Sequence, residues 1–340
     1  MLRHLTAGES HGEYLTGILE GFPAGVRIAP AFIAAQLRRR RQAPGRSARQ
    51  ALETDQFKII SGWADGLTTG APISVLVTNK GRALPPASSL PRPGHADLAG
   101  MLKYDTLNAS LIRERASARE TAAGVALGAF ALRLLEMLGV GINSRVLSLG
   151  RLRQVTAGTA AAEILRARAE GDTLGGIFEL TVENLPAGLG GFSQRDRRLG
   201  ARLGAALLGI NGVKGFEVGG GFSLAALGGK AASGDPELSG GLDGGLTNGR
   251  TLRLRCAVKP VPGLPGGSPS TDLKSFRKKL SVSGTSDTTA VFAAAVVAEN
   301  AAALELAGAV LEKFGGDSLG EIKTRVDEWR KKTRKILRRL

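Results

Sequence analysis

The chain has one cysteine, two tryptophans, two tyrosines and three histidines in 340 residues. A lone cysteine, Cys256, excludes an internal disulfide framework and any multi-cysteine metal centre. It fits a reducing compartment, with the cytosol as the default. Aromatics make up 4% of the residues, poor material for the stacking platforms that hold single-stranded nucleic acid. No zinc-finger, RRM or KH spacing occurs, and HExxH, GxSxG and the P-loop are missing as well. The opening MLRHLTAGES has no apolar core of the signal-peptide kind. The longest apolar run, residues 289–314, is interrupted by Glu299, Glu305 and Glu312. It reads as a buried, alanine-rich helix, not a membrane span.

What remains is globular: 43% hydrophobic, 22% charged and long enough for one large domain or two ordinary ones. The net charge of +16 suits nucleic acid, an anionic membrane surface or small polyanionic ligands. Part of it is local, because TRVDEWRKKTRKILRRL near the C-terminus reads as a helix with a basic, solvated face. We take residues 1–320 as a single domain and 321–340 as this basic helical tail.

Along the chain, residues 3–28 read as two strands around a turn, and APAFIAAQLRRRR reads as a helix entered through Pro30. DQFKIISGWADGLTTGAPISVLVTN has two β-rich runs split by a glycine-rich turn, a hairpin signal. Residues 80–98 read as a Pro/Gly-rich loop. SARETAAGVALGAFALRLLEMLG is a helix, with Ser117 and Glu120 spaced as a capping box and Gly139 as its stop. GINSRVLSLGRL and GGIFELTVENLP read as strands around a helix. SQRDRRLGARLGAALLGI reads as a further helix, and VKGFEVGGGFSLAAL as strand, turn and strand. GRTLRLRCAVKPVPG is a strand with Arg253 and Arg255 on one face. Pairs of strands alternate with helices twice over, without an exact repeat and without a linker. That pattern argues for an α+β fold with antiparallel sheets.

Four segments share one composition, with arginine, serine or histidine in glycine- or proline-rich loops: GESHG (8–12), RRQAPGRSAR (40–49), RPGHAD (92–97) and RERASARE (113–120). If they converge, they form a strongly positive pocket with two imidazoles, His11 and His95. Arginine forks suit phosphate and carboxylate oxygens. Judged singly, each segment has a plainer reading: a surface turn, a solvated basic loop, a structural histidine or a helix cap.

Taken in register, LTAGESHG, RPGHADLAGMLKY, ERASARETAAGVALGA, VKGFEVGGGF and CAVKPVPG resemble chorismate synthase of the bacterial type, over roughly residues 1–315. The resemblance implies a β-α-β sandwich with a helical core between two antiparallel four-stranded sheets, assembled as a homotetramer. It implies a lyase that eliminates phosphate from 5-enolpyruvylshikimate 3-phosphate to give chorismate, needing reduced FMN. NADPH would serve as an indirect reductant, and no metal is involved. Position by position, His11, His95 and Asp287 match the catalytic residues. Ser10, Arg40, Arg46, Arg49, Arg92 and Arg119 match substrate contacts, with Arg40 and Arg46 also matching NADP positions. Arg115, Ala116, Ser117, Asn211, Gly212, Gly244, Lys259, Pro260, Val261, Pro262, Gly263 and Thr285 match flavin contacts. Two of these depart from the family pattern: Thr285 stands where an arginine is usual, and Gly263 replaces a hydroxyl residue. The segment before RPGHAD is also short. The departures keep a second reading open, a weakened or inactive flavin- or anion-binding homologue. Nucleic-acid binding would be nonspecific and confined to the basic tail, no membrane is implied, and the expected compartment is the cytoplasm.

Overall fold

The computed structural model describes residues 2–47, 53–80, 84–282 and 287–337. Two four-stranded antiparallel sheets enclose a helical layer. The first contains β1 (Arg3–Ala7), β2 (Tyr14–Glu20), β3 (Phe57–Ser61) and β4 (Ile73–Thr78), in the order β1-β2-β4-β3. The second contains β5 (Gly141–Leu149), β6 (Gly176–Glu183), β7 (Val213–Val218) and β8 (Leu252–Val258), in the order β5-β6-β8-β7. The α+β sandwich is therefore as expected. β4 and β8 bury alternate residues, the pattern of a sheet with one face on the core. Arg253 and Arg255 accordingly share the outer face of β8.

The helical layer starts with α1 (Pro30–Arg41). Two short helices follow, α2 (Asp97–Lys103) and α3 (Ala109–Ala116), both unexpected from the sequence; α2 begins inside the expected loop. Then come α4 (Thr121–Met137), α5 (Ala157–Ala169), α6 (Leu199–Leu208), α7 (Val291–Phe314) and α8 (Leu319–Leu337). α7 is long and apolar enough by composition to cross a membrane, but its residues are mostly buried inside the protein. It crosses α4 closely: a Cβ on Gly128 would come within 2.5 Å of Asn300 Cβ. Burial pushes the Cys256 thiol up to about 12, so the lone cysteine is an inert core residue.

Two local expectations fail for physical reasons. Ser117 caps a 3-10 turn, Ala118–Glu120, ahead of α4, its side chain accepting from Arg119 N at 3.2 Å. The Glu120 carboxylate lies by Thr6 and Arg115 instead of closing a capping box. After β7 the chain turns into a 3-10 helix, Gly221–Ala226, not a second strand. Gly219 and Gly221 have φ of +58° and +51°, which breaks the extended backbone. The C-terminal helix starts at Leu319 and buries Ile322 and Val326.

The two halves are also built alike, which the sequence reading missed. Pro23-Ala24-Gly25 follows β2, and Pro186-Ala187-Gly188 follows β6. Thr68 Oγ1 donates to Pro23 O at 2.6 Å and accepts from Val26 N at 3.0 Å. Thr247 Oγ1 donates to Pro186 O at 2.7 Å and accepts from Leu189 N at 2.8 Å. Gly25 N donates to Thr68 O, and Gly188 N to Thr247 O. α8 bonds to both turns, through Leu319 N to Ala24 O and Trp329 Nε1 to Ala187 O.

Gly→Ala normally favours a helix by up to about 1 kcal/mol. At Gly124, where a Cβ would meet nothing within 4 Å, Gly124→Ala should raise stability. At Gly128 the clash with Asn300 should reverse the sign, with a loss of roughly 1–3 kcal/mol. Urea denaturation of the two variants checks this, and two changes of equal sign would refute the close crossing.

Candidate active site

Residues 8–12 turn the chain from β1 into β2. Gly8 has φ +105°, and a Cβ there would collide with the backbone of Tyr14 and Leu15. Asn79, at the end of β4 and wholly buried, holds this turn. Its Nδ2 donates to the carbonyls of Glu9 at 3.0 Å and Gly12 at 2.9 Å, and its Oδ1 accepts Arg119 Nε at 2.7 Å. Glu114 on α3 grips the same turn. Its carbonyl accepts from Ser10 N at 3.0 Å. Its carboxylate accepts from His11 N at 2.7 Å and lies 2.8 Å from His11 Nδ1.

Arg40, near the end of α1, is 1% exposed. Its guanidinium donates to Asp55 at 3.1 Å and to Thr121 Oγ1 at 3.2 Å. Arg119 pairs with the other oxygen of Asp55, donates to Thr78 O at 3.1 Å and lies 3.4 Å from Glu53. Burial alone would raise the Asp55 pKa, but Arg40 and then Arg119 hold it below the usual carboxylate value. Burial pushes Arg40 down to about 10, which leaves it cationic at neutral pH. Arg46 is near enough for its charge to act on Arg40. It bonds to Asp287 at 2.6 Å, and Ser47 N donates to the other Asp287 oxygen at 2.7 Å. Arg168 on α5 ties this corner together through Thr288 Oγ1 at 2.8 Å and Arg46 O at 3.1 Å.

A second cluster forms around Asp97, the first residue of α2. Arg92 chelates it through Nε and a terminal nitrogen, both at 3.0 Å, and Arg113 on α3 adds a bond of 2.7 Å. Burial opposes ionisation of Asp97, but the Arg92 and Arg113 bonds hold its pKa low. His95 Nδ1 lies 3.1 Å from Pro93 O. A carbonyl only accepts, so Nδ1 carries the proton, and Nε2 of the neutral ring is an acceptor. Burial, then the Arg92 charge, hold the His95 pKa below the ordinary imidazole value.

A chain of bonds links these clusters to the expected flavin contacts. Lys259 Nζ donates to Gly94 O at 2.6 Å, and Lys259 N to Gly212 O at 2.9 Å. Asn211 Nδ2 donates to Ala116 O at 3.1 Å, while its buried Oδ1 has no partner among the described residues. Arg115 donates to Thr6 O at 2.9 Å. Pro262 packs so near Gly94 that a Cβ there would come within 2.8 Å of it. Pro260 packs on Gly175, Val261 O accepts from Thr173 Oγ1 at 2.8 Å, and Gly263 is buried. Gly244 turns a small hairpin, Leu242–Asp243 with Leu246–Thr247. That hairpin packs on Arg198 and Leu199 at the start of α6, not on the bonded chain just described. Arg49 and Thr285 lie outside the described residues.

The sequence profile described as Chorismate synthase matches residues 2–311. The chain belongs to the chorismate synthase family. It is 42% identical to the chorismate synthase of Caldanaerobacter subterraneus subsp. tengcongensis, over 96% of this chain and 98% of that protein. It is 40% identical to the chorismate synthase of Desulforamulus reducens, over 99% and 100% respectively. That second alignment runs over 387 positions, more than the 340 residues here, so that relative carries segments this chain lacks. A solved structure titled Crystal Structure of Chorismate Synthase superposes with a TM-score of 0.78 at 32% identity, over 96% of this chain and 97% of that one.

In this member of the chorismate synthase family the described site arginines stand beside carboxylates. The expected arginines fall in separate clusters, and each described one is paired: Arg40 and Arg119 with Asp55, Arg46 with Asp287, Arg92 with Asp97 and Arg115 with Glu120. The arginines and histidines of these segments stand out in the sequence, and the carboxylates that pair with them do not. Asp97 and Glu114 stand inside RPGHAD and RERASARE, so a count of acids within those segments would have found them. Asp55 and Asn79 carried no local signal.

Two outcomes follow from this geometry. Asp55→Asn should cost on the order of 3–5 kcal/mol in urea denaturation, because it removes the carboxylate that two buried guanidinium groups share; a loss below about 1 kcal/mol would contradict the shared pairing. In NMR titrations His95 should titrate below 6.5, and Arg92→Gln should move its midpoint upward. Because the folded pKa is the lower one, the unfolded chain takes this proton first, so the stability contribution is present above 6.5 and declines as pH falls. An unchanged midpoint would show that Arg92 does not act on His95.

Proposed function

We propose that this site converts 5-enolpyruvylshikimate 3-phosphate to chorismate and phosphate with reduced FMN bound. The observation that carries the reading is the convergence of the motif segments on one short helix, α3. Glu114 holds the His11 turn, Arg113 reaches the Asp97 cluster, and Ala116 meets Asn211. The shared name of the relatives favours the enzyme over a non-catalytic homologue.

The residues present fit a flavin. A buried acceptor without a donor costs about 1–3 kcal/mol, and Asn211 Oδ1 is such an acceptor. A flavin ring offers N–H donors, and Lys259 and Arg115 bring positive charge for its phosphate. When bound, the reduced flavin supplies electron density to the elimination and takes up the departing proton. The protein positions and protonates. His11 gives its proton to the departing phosphate, and the Arg40–Arg119 pair sets a fixed positive field beside it without reorganising. His95, neutral and accepting at Nε2, takes a hydrogen bond from the flavin. Arg46 and Asp287 form a balanced pair that opens to substrate oxygens, and Ser10, Arg49 and Arg92 complete the substrate contacts. Thr285 joins the flavin contacts, and NADPH acts only as an indirect reductant.

The exposed Leu98, Leu102 and Leu111 of α2 and α3 offer apolar surface of the kind subunits bury, in keeping with a homotetramer. The compartment is the cytoplasm. Residues 321–340 contribute at most nonspecific contacts to nucleic acid.

Under anaerobic conditions with reduced FMN, the purified chain should release phosphate from this substrate. His11→Ala should lower turnover by roughly 10²-fold or more and leave flavin binding nearly intact. Loss of flavin binding instead would place His11 on the wrong ligand, and no phosphate release by the folded wild type would sink the reading.

A further inference from the structure

We propose that Glu114 is the positioning residue of His11: it fixes the ring proton on Nδ1, so that His11 exchanges protons with its ligand through Nε2 alone. This rests on the reading of His11 as the acid at the departing phosphate. The Glu114 side chain is 6% exposed, and its two oxygens are both spent on one residue. Oε1 faces His11 Nδ1 at 2.8 Å, and Oε2 takes His11 N at 2.7 Å. An ionised carboxylate has no proton to give, so Nδ1 must be the N–H. Side chain and main chain of His11 are thereby locked to the same group. A ring held only through Nδ1 would keep rotational freedom about that bond, and the second contact removes it.

The carboxylate is itself well fixed. Its neighbours on α3 are tethered in other directions, Arg113 to Asp97 and Leu90 O, Arg115 to Thr6. The helix cannot slide without breaking those bonds. The Glu114 carbonyl also receives Ser10 N, so the helix and the turn are joined through main chain and side chain together. A carboxylate that orients an imidazole in this way selects the tautomer and the direction of proton transfer.

The experiment is NMR of chain labelled with ¹⁵N and ¹³C histidine, paired with kinetics. In the folded wild type the neutral ring of His11 should carry its proton on Nδ1. Glu114→Gln can turn its amide NH₂ toward the ring, so this variant should populate the Nε2–H tautomer. It should lower kcat by about 10²-fold, with KM changed by less than about 3-fold. In a His11→Ala background the same substitution should have no further effect on kcat, because its partner is gone. A purely structural role predicts an equal loss in both backgrounds, and that result overturns the proposal. A wild-type ring protonated at Nε2 overturns it without any variant, so a Glu114→Gln chain that fails to fold leaves the test standing. The tautomer is read without turnover. A wild type that releases no phosphate therefore defeats the functional reading alone.

Discussion

Asp55 lies between two buried arginines from distant parts of the chain, and the site is assembled around that sharing. One carboxylate takes Arg40 from the end of α1 and Arg119 from the turn that opens α4. Two guanidinium groups at this depth would repel each other and drive the helices apart. With Asp55 between them they are held in fixed positions. Asp55 accepts a left-handed backbone, φ +50°, to reach its place, a conformation that aspartate tolerates better than most residues. Arg119 then positions Asn79, and Asn79 positions the His11 turn. The order of the His11 turn thus follows from a pairing relayed through Arg119 and Asn79.

The same logic explains a site rich in arginine but paired throughout. A cluster of bare cations would bind any polyanion and would be disordered without one. Paired cations are ordered in advance, and a ligand must compete with specific carboxylates to reach them. Selectivity then comes from geometry, not from net charge. The surplus that makes the chain +16 is carried largely elsewhere, as in α8 and the hairpin of Ser268–Thr271 with Lys278–Ser281.

The layered architecture was legible because it is written in periodicity. Alternation marked β4 and β8, and long alanine-rich runs marked α4 and α7. Helices α2 and α3 were not legible, since seven or eight residues among glycine, proline and arginine give no lasting period. The site was half legible. Histidine and arginine in glycine-rich turns drew attention, and the family resemblance ordered them. Two of the residues that position them were invisible for a physical reason: Asp55 and Asn79 act through contacts remote in sequence, and nothing beside them in the chain requires them.

The paired Pro-Ala-Gly turns, each closed by a threonine hydroxyl, have a consequence for how such a protein is made. Equal strand orders and equal turn bonding in the two halves are what duplication of one ancestral unit leaves behind. The halves differ in one connection. The first kept a tight connection between its opening strands, and that connection carries His11. The second admitted a helix, α5, between its opening strands, and α5 supplies Arg168 to brace the Arg46 corner. The two halves differ in this connection: a tight turn with His11 in the first, and a helix that braces Arg46 in the second.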